Sequence, residues 1–375
     1  MPVLSKVMEK LILKRLQPYI QSTDVIPQHQ FGFLKHHSTI DQLHRVVSVI
    51  ENSLETKKVC TAVFLDVQQA FDKVWHDGLL YKLKCLFPSN LYLLLKSYLE
   101  DRHFQVRYEH TYSEIHPVLA GVPQGSVLGP TLYLLYTADF PATENVQMAT
   151  FADDTALLSS HEDPKKASNN LQNALTKAET WFKKCKIGIN ESKSVNIHFT
   201  NRKVEVPPVK INNIDLPVRA TVRYLGLHLD SRLTWKHHIQ VKKKELDIRV
   251  KKMYWLIGRN SVLTTDNKRL IYTTILKPIW TYGVQLWGCA KPSNLKVIQT
   301  SQNKILRLIT KAPWYVTNLT LHRDLCIDYV ADVIKVHAKR HADRLDSHPN
   351  TLARELLDVT DNVRRLKRQK PQDLV

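Results

Sequence analysis

Apolar and polar positions change period several times along the chain. Leu4, Val7, Met8, Leu11, Ile12 and Leu16 recur at helical spacing with Lys and Arg between them, which predicts an amphipathic first helix. A polar, Gly-containing stretch over 30–39 precedes a second helical pattern through Leu43, Val46, Val47 and Ile50. Thr61-Ala62-Val63-Phe64-Leu65 is a continuous apolar run ended by Asp66, the pattern of a central strand covered on both faces. Residues 68–100 read as helical, anchored by Trp75, Leu79, Leu83, Leu91 and Leu95, and 105–108 and 115–118 as strands of a hairpin. A Gly- and Pro-rich loop over 121–130 runs into an apolar helix at 132–136. Two apolar runs between 146 and 158 flank Asp153-Asp154, the pattern of a tight hairpin. Ala167, Leu171, Ala174, Leu175, Ala178 and Phe182 form a helical stripe. Short strands follow at 195–199, 209–211 and 224–229. From Ile239 the pattern is helical, with Leu246, Val250, Met253 and Ile257 on one face and Lys242, Lys243, Arg249, Lys251 and Lys252 elsewhere.

The change from strands to helices near residue 230 coincides with a change in charge. Residues 1–230 hold 26 Lys and Arg against 23 Asp and Glu, whereas 231–375 hold 28 against 12, so most of the net charge of +19 lies in the second part. Two domains, 1–230 and 231–375, are expected on these grounds, and the natural partner is a polyanion, nucleic acid first. The five cysteines are widely spaced and form no CxxC pair; with no secretory leader pattern, this implies reduced thiols and an intracellular setting, nuclear or cytoplasmic. The apolar stretch 270–290 is broken by Lys277-Pro278, which favours short buried helices over a membrane span. No Walker loop, GxSxG elbow or HExxH pair occurs.

Three acids stand among apolar neighbours. Asp66 ends the apolar strand, and Asp153 and Asp154 sit between Phe151-Ala152 and Ala156-Leu157-Leu158. A carboxylate in such a place is costly without a cation. If the two strands are neighbours in one sheet the acids converge, and such hard oxygen donors suit Mg²⁺. Two such ions would serve in-line phosphoryl displacement, either nucleotidyl transfer or phosphodiester hydrolysis. The plainer alternatives are a hairpin turn at Asp153-Asp154 and a helix N-cap at Asp66.

In fuller context the strings are Ala62-Val63-Phe64-Leu65-Asp66-Val67-Gln68-Gln69-Ala70-Phe71-Asp72, then Gly121-Val122-Pro123-Gln124-Gly125-Ser126-Val127-Leu128-Gly129-Pro130, then Ala149-Thr150-Phe151-Ala152-Asp153-Asp154. Gly188-Ile189-Asn190 with Lys193, Tyr224-Leu225-Gly226-Leu227, Tyr282-Gly283, Trp287-Gly288 and Ala312-Pro313-Trp314-Tyr315-Val316 follow. In this order the chain resembles the reverse transcriptases of jockey-type non-LTR retrotransposons, over nearly its whole length. The resemblance implies an α+β right-hand polymerase with an antiparallel-sheet palm, partial fingers, a helical thumb and a C-terminal extension. It implies RNA-templated DNA synthesis for retrotransposition, from an RNA template, a DNA primer and deoxynucleoside triphosphates, with two Mg²⁺ ions, Mn²⁺ being a substitute, and no membrane.

Residue by residue, it makes Asp66, Asp153 and Asp154 metal ligands, with the Val67 carbonyl as a further one. Phe71 would lie beneath the incoming sugar, where its ring would clash with a ribose 2′-hydroxyl; the alternative is a core Phe. Gln124 and Gly125 would approach the nucleotide, or form a structural turn. Lys193 would protonate the pyrophosphate leaving group, or be an ordinary solvated Lys. Leu225-Gly226 would grip the primer end, or make a plain turn, and Lys242, Lys243, Arg249, Lys251 and Lys252 would track the template–primer backbone. Asp72, Trp75 and His76 match as structural support. Leu34 departs from the Arg usual after Gly-Phe. Relatives also carry a fingers segment with an Arg-Pro-Ile-Ser-like string ahead of the position of Met1-Pro2-Val3-Leu4-Ser5-Lys6, and an endonuclease domain, so the expectation is a truncated element with an intact palm. The other expectations kept open are an impaired remnant that binds RNA or DNA through its basic C-terminal region, and a metal-dependent nuclease.

Overall fold

The computed structural model describes residues 2–358 and 364–375. The chain packs into two compact units: residues up to Gln42 with Val59–His198 and Lys203–Arg219, and a second made of Leu43–Lys58, Phe199–Arg202 and the described part of Ala220–Val375.

In the first unit, α1 (Val3–Ser22) is helical as its spacing predicts, but its stripe is rotated. Ile12, Leu16 and Ile20 are buried together with Glu9, whereas Leu4, Val7, Met8 and Leu11 are exposed. Glu9 is drawn inward because its carboxylate accepts from Val127 N–H, Leu128 N–H (3.3 Å) and the Tyr98 hydroxyl (3.0 Å). Helix α2 (Thr39–Glu55) begins here. Strand β1 (Val59–Leu65) is buried throughout, as a doubly covered strand should be. The helix expected from residue 68 starts later. Strand β2 (Val67–Gln68) and turns come first, then α3 (His76–Leu86) and α4 (Ser89–Leu99), separated where Pro88 forces Phe87 into an extended conformation. The expected hairpin near 105–118 is two short ladders: β3 (His103–Phe104) pairs with β6 (His116–Pro117), and β4 (Arg107–Tyr108) with β5 (Thr111–Tyr112).

The apolar helix α5 (Gly129–Thr137) follows the Gly-Pro loop. Strands β7 (Gln147–Phe151) and β8 (Asp154–His161) form the predicted hairpin, and α6 (Pro164–Lys184), capped by Asp163, packs across β1 and β8 with the stripe read from the sequence buried. Strand β9 (Gly188–Ile189) pairs with β2. Strand β10 (Val195–Phe199) completes an antiparallel-rich sheet of order β10-β1-β8-β7, and β11 (Lys210–Ile211) and β12 (Ile214–Asp215) form a small hairpin.

In the second unit, the strand expected over 224–229 is instead a hairpin of β13 (Thr221–Tyr224) and β14 (Leu227–Asp230) around Leu225-Gly226. Leu225 (φ +42°) and Gly226 (φ +83°) both take positive φ, which suits the twist of a two-residue hairpin. Helices α7 (Lys236–Lys252) and α8 (Tyr254–Ile257) follow, then α9 (Thr265–Ile271), a π-helical turn (Tyr272–Leu276) and α10 (Lys277–Thr281). The π-turn lies immediately before Pro278, which has no N–H to close an α-helical bond four residues back. Helices α11 (Val284–Trp287), α12 (Pro292–Thr310), α13 (Asn318–Asp324) and α14 (Val330–Asp346) complete the main elements. The core of this unit is built on fully buried Trp235, Tyr272, Trp280 and Trp287. Among the described residues no helix is long and apolar enough to cross a membrane.

Candidate functional site

Strands β1 and β8 are neighbours, and Leu65 pairs with Thr155. One step further along the antiparallel ladder, Asp66 therefore faces Asp154. Phe151 pairs with Asp154 across the β7–β8 hairpin, which leaves Ala152-Asp153 as its two-residue turn, with Ala152 at φ +58°. The backbone of Asp66 is held from both sides: its N–H donates to Ser194 Oγ (3.1 Å), and its carbonyl accepts from Asn190 N–H (2.9 Å). Lys193 is exposed on that same turn, its N–H donating to Asn190 Oδ1 (3.2 Å).

The turn carrying Asp153 is clamped by a segment whose role the hydrophobic pattern did not reveal. Buried Gln30 accepts with Oε1 from Gly32 N–H (2.7 Å) and Ala152 N–H (2.9 Å), and donates with Nε2 to Ala152 O (3.4 Å). Phe31 N–H donates to Thr150 O (2.9 Å), and Thr150 N–H to His29 O (3.1 Å). Gln42 Nε2 donates to both of those carbonyl oxygens at 2.8 Å. Gly32 is required by proximity: a Cβ there would stand 2.1 Å from Ala152 N.

The three acids act on one another electrostatically. The Asp154 carboxyl is pushed up to about 6, first by desolvation and then by repulsion from Asp153 and Asp66. Asp154 is an exposed residue, so water screens part of this repulsion. Burial, followed by Asp153 and Asp154, also pushes the Tyr133 hydroxyl up. Among the described residues no three His, Cys, Asp or Glu side chains are grouped so as to hold a metal ion. The donor chemistry still fits a hard dication, since all three groups offer carboxylate oxygens and Asp154 feels the other two as uncompensated charge.

Phe71 is half-buried, stacked on Tyr133 (centroids 4.7 Å apart) with Phe33 edge-on at 5.7 Å. The loop after β6 is tied to this ring's backbone, with Val122 N–H donating to Phe71 O (2.8 Å) and Gly121 N–H to Val74 O (2.8 Å). Gln124 is exposed and donates to Asp72 Oδ1 (3.0 Å), while His76 Nε2 meets Gly121 O at 2.8 Å. Gly125 has φ +79°, and a Cβ there would touch nothing within 4 Å, so its surroundings are open.

Residues 1–229 match the family described as reverse transcriptase (RNA-dependent DNA polymerase). The chain belongs to the reverse transcriptase family. It is 43% identical, over its full length, to "Probable RNA-directed DNA polymerase from transposon X-element" of Drosophila melanogaster, of which it covers 42%. It is 42% identical over its full length to "RNA-directed DNA polymerase from mobile element jockey" of the same species, covering 43% of that protein, and 43% identical over 98% of its length to "Probable RNA-directed DNA polymerase from transposon BS", covering 41%. The chain thus spans about two fifths of the length of these relatives.

The remaining residues singled out in this reverse transcriptase chain lie in the second unit. Leu225-Gly226 is the hairpin turn described above, its Leu225 carbonyl accepting from the Tyr282 hydroxyl (2.7 Å). A Cβ on Gly226 would stand 2.9 Å from the Tyr282 ring. On α7, Arg249, Lys251 and Lys252 are exposed, whereas Lys242 pairs with Glu245 (2.9 Å) and Lys243 with Asp247. The exposed Lys243–Asp247 pair is of the weak surface kind. The residues that sequence reasoning missed are Glu9, Gln30, Gly32, Tyr133 and Ser194, all of which act by holding other groups. The polar Gln-Phe-Gly string inside an apolar context was the one available signal.

Proposed function

We propose that the chain is the polymerase portion of a non-LTR retrotransposon reverse transcriptase and performs RNA-templated DNA synthesis by nucleotidyl transfer. The observation that carries this reading is the placement of Asp66 opposite Asp154 across β1–β8, with Asp153 in the adjoining turn and both backbones clamped. Residues 1–230 then serve as fingers and palm and 231–375 as thumb and C-terminal extension, on a right-hand plan.

Asp66, Asp153, Asp154 and the Val67 carbonyl would hold two Mg²⁺ ions, with Mn²⁺ as a substitute. Bound there, the metal would offset charge on the triphosphate and on the attacking and leaving oxygens. Phe71, fixed between Tyr133 and Phe33, would close the space beneath the sugar of the incoming deoxynucleotide. Gln124 and Gly125 border open space, where Gln124 can exchange its bond to Asp72 for one to the substrate. The primer 3′-hydroxyl gives up its proton to water and attacks the α-phosphate, the bond to pyrophosphate breaks, and Lys193 supplies a proton to that leaving group. Leu225-Gly226 and the exposed cations of α7 would hold the primer and template backbones. No observation favours the impaired-remnant alternative.

The test is extension of a DNA primer on an RNA template by the purified chain with Mg²⁺ and deoxynucleotides, beside an Asp153→Asn/Asp154→Asn variant. Extension by the native chain and at least a 10³-fold loss in the variant are expected, in line with removal of the main electrostatic term. Equal extension by both chains would overturn the assignment, and Mg²⁺-dependent cleavage without nucleotides would establish a nuclease in its place.

A further inference from the structure

The string Ala312-Pro313-Trp314-Tyr315-Val316 plays no part in the chemistry above, yet its side chains are arranged in an unusual way. Val316 N–H donates to Pro313 O (3.3 Å), so Trp314 and Tyr315 are the two central residues of a turn between α12 and α13. Those positions ordinarily take Gly, Asn, Asp or Ser, chosen for backbone geometry. Here they carry two large aromatic rings, with Trp314 88% and Tyr315 69% exposed.

The turn is also braced from within. The Arg307 guanidinium donates to Pro313 O, to Val316 O (2.8 Å) and to Asn318 Oδ1 (3.2 Å), so one cation gathers both ends of the turn and the start of α13. Ala312 is buried, and Pro313 has a fixed φ. The two rings stand edge to face, centroids 6.0 Å apart and planes at 80°, so one face meets the neighbouring ring's edge while most of the remaining aromatic surface is exposed. Exposure of this much aromatic surface on a rigid mount is unfavourable in water and marks a contact surface. Charge indicates the partner: helix α12 with its flanking residues, from Lys291 to Lys311, carries five Lys and Arg and no Asp or Glu, and Lys296, Lys304 and Lys311 are exposed.

We propose that Trp314 and Tyr315 form a stacking platform for the bases of single-stranded nucleic acid. Aromatic faces accept any base, and the exposed lysines of the adjoining helix supply charge for the phosphates, so this surface holds an unpaired strand without reading its sequence. The mount set by Arg307 keeps the rings presented before the strand arrives, which lowers the ordering cost on binding. The proposal does not rest on the carboxylate chemistry.

The test is fluorescence anisotropy with a labelled 12-nucleotide single-stranded RNA, the matching DNA, an abasic strand of the same length, and a duplex, using the full chain and its Trp314→Ala, Tyr315→Ala and Trp314→Phe variants. For Trp314→Ala, affinity for single strands is expected to fall about 5- to 150-fold, the range for loss of one stacked base. Binding of the abasic strand and the slope of log K against log salt stay unchanged, because no phosphate contact is removed. Trp314→Phe retains most of the affinity. The RNA and DNA arms distinguish a template-like from a DNA-strand ligand. The same loss must appear when Trp314→Ala is made in an Asp153→Asn/Asp154→Asn background, so failure of the polymerase assignment leaves this result standing. Unchanged affinity for single strands, or an equal loss for the abasic strand, would overturn the proposal. So would intact oligonucleotide binding with loss of self-association by sedimentation, which would make the pair a contact between chains.

Discussion

Replacing Gly32 by Ala is the sharpest probe of how the acids are positioned. The added Cβ would lie 2.1 Å from Ala152 N and 2.9 Å from its Cα, so backbone has to move. Gly32 is not among the glycines with positive φ, so alanine meets no conformational penalty of its own and the effect is steric. Overpacking of this kind costs about 1–3 kcal/mol. Separating the segments also strains the three hydrogen bonds of Gln30, each worth about 1 kcal/mol net. The total is about 2–5 kcal/mol, which shifts a urea midpoint by about 1–2.5 M at an m-value near 2 kcal/mol/M. Since the displaced atoms belong to the turn that holds Asp153, a movement of about 1 Å would lower primer extension on the order of 10²-fold. Two controls separate the causes. Gln30→Leu removes the clamp without adding atoms against Ala152 and should lose activity too. Gly125→Ala, at φ +79° with no neighbour within 4 Å, costs about 1–2 kcal/mol of backbone strain and leaves the acids in place. A Gly32→Ala chain with an unchanged midpoint and unchanged extension would refute the reasoning.

Glu9→Leu strands the buried Leu128 N–H, the part-buried Val127 N–H and the Tyr98 hydroxyl, and is expected to destabilise the first unit by about 3 kcal/mol in urea titration, with Glu9→Gln closer to the native chain. In the second unit, His44 Nδ1 and His341 Nε2 lie 3.1 Å apart, and burial lowers His44 to about 4 and His341, with repulsion from His44 and Arg344, to about 2. Because both folded values lie below the unfolded 6.5, the unfolded chain binds more protons in acid. This contribution is complete above pH 6.5 and is lost as pH falls toward 4 and below, by up to about 1.4 kcal/mol per pH unit per histidine. Thermal unfolding between pH 7.5 and 4.5 should show that slope reduced in His44→Gln, and an identical slope in the variant would count against it.

The sequence by itself determined the elements whose evidence is local. The run at 61–65 had to be a central strand because its side chains from Ala62 to Leu65 are apolar without interruption, and the stripe from Ala167 to Phe182 had to be a helix face because it keeps a single period. The three acids were legible because a charged residue at the end of an apolar run is conspicuous whatever the fold, and the family motifs named their neighbours in order. Tertiary structure alone decided which way α1 turns. Its apolar spacing pointed to Leu4, Val7, Met8 and Leu11, but three donors waiting for an acceptor turned Glu9 inward. It also decided that Asp66 faces Asp154, a matter of register between strands about ninety residues apart, and that Gln30 and Gly32 brace the turn at Ala152. Periodicity reports burial along one element. Hydrogen-bond partners and close approaches between distant segments depend on how those elements meet, and a single chain's pattern does not record that.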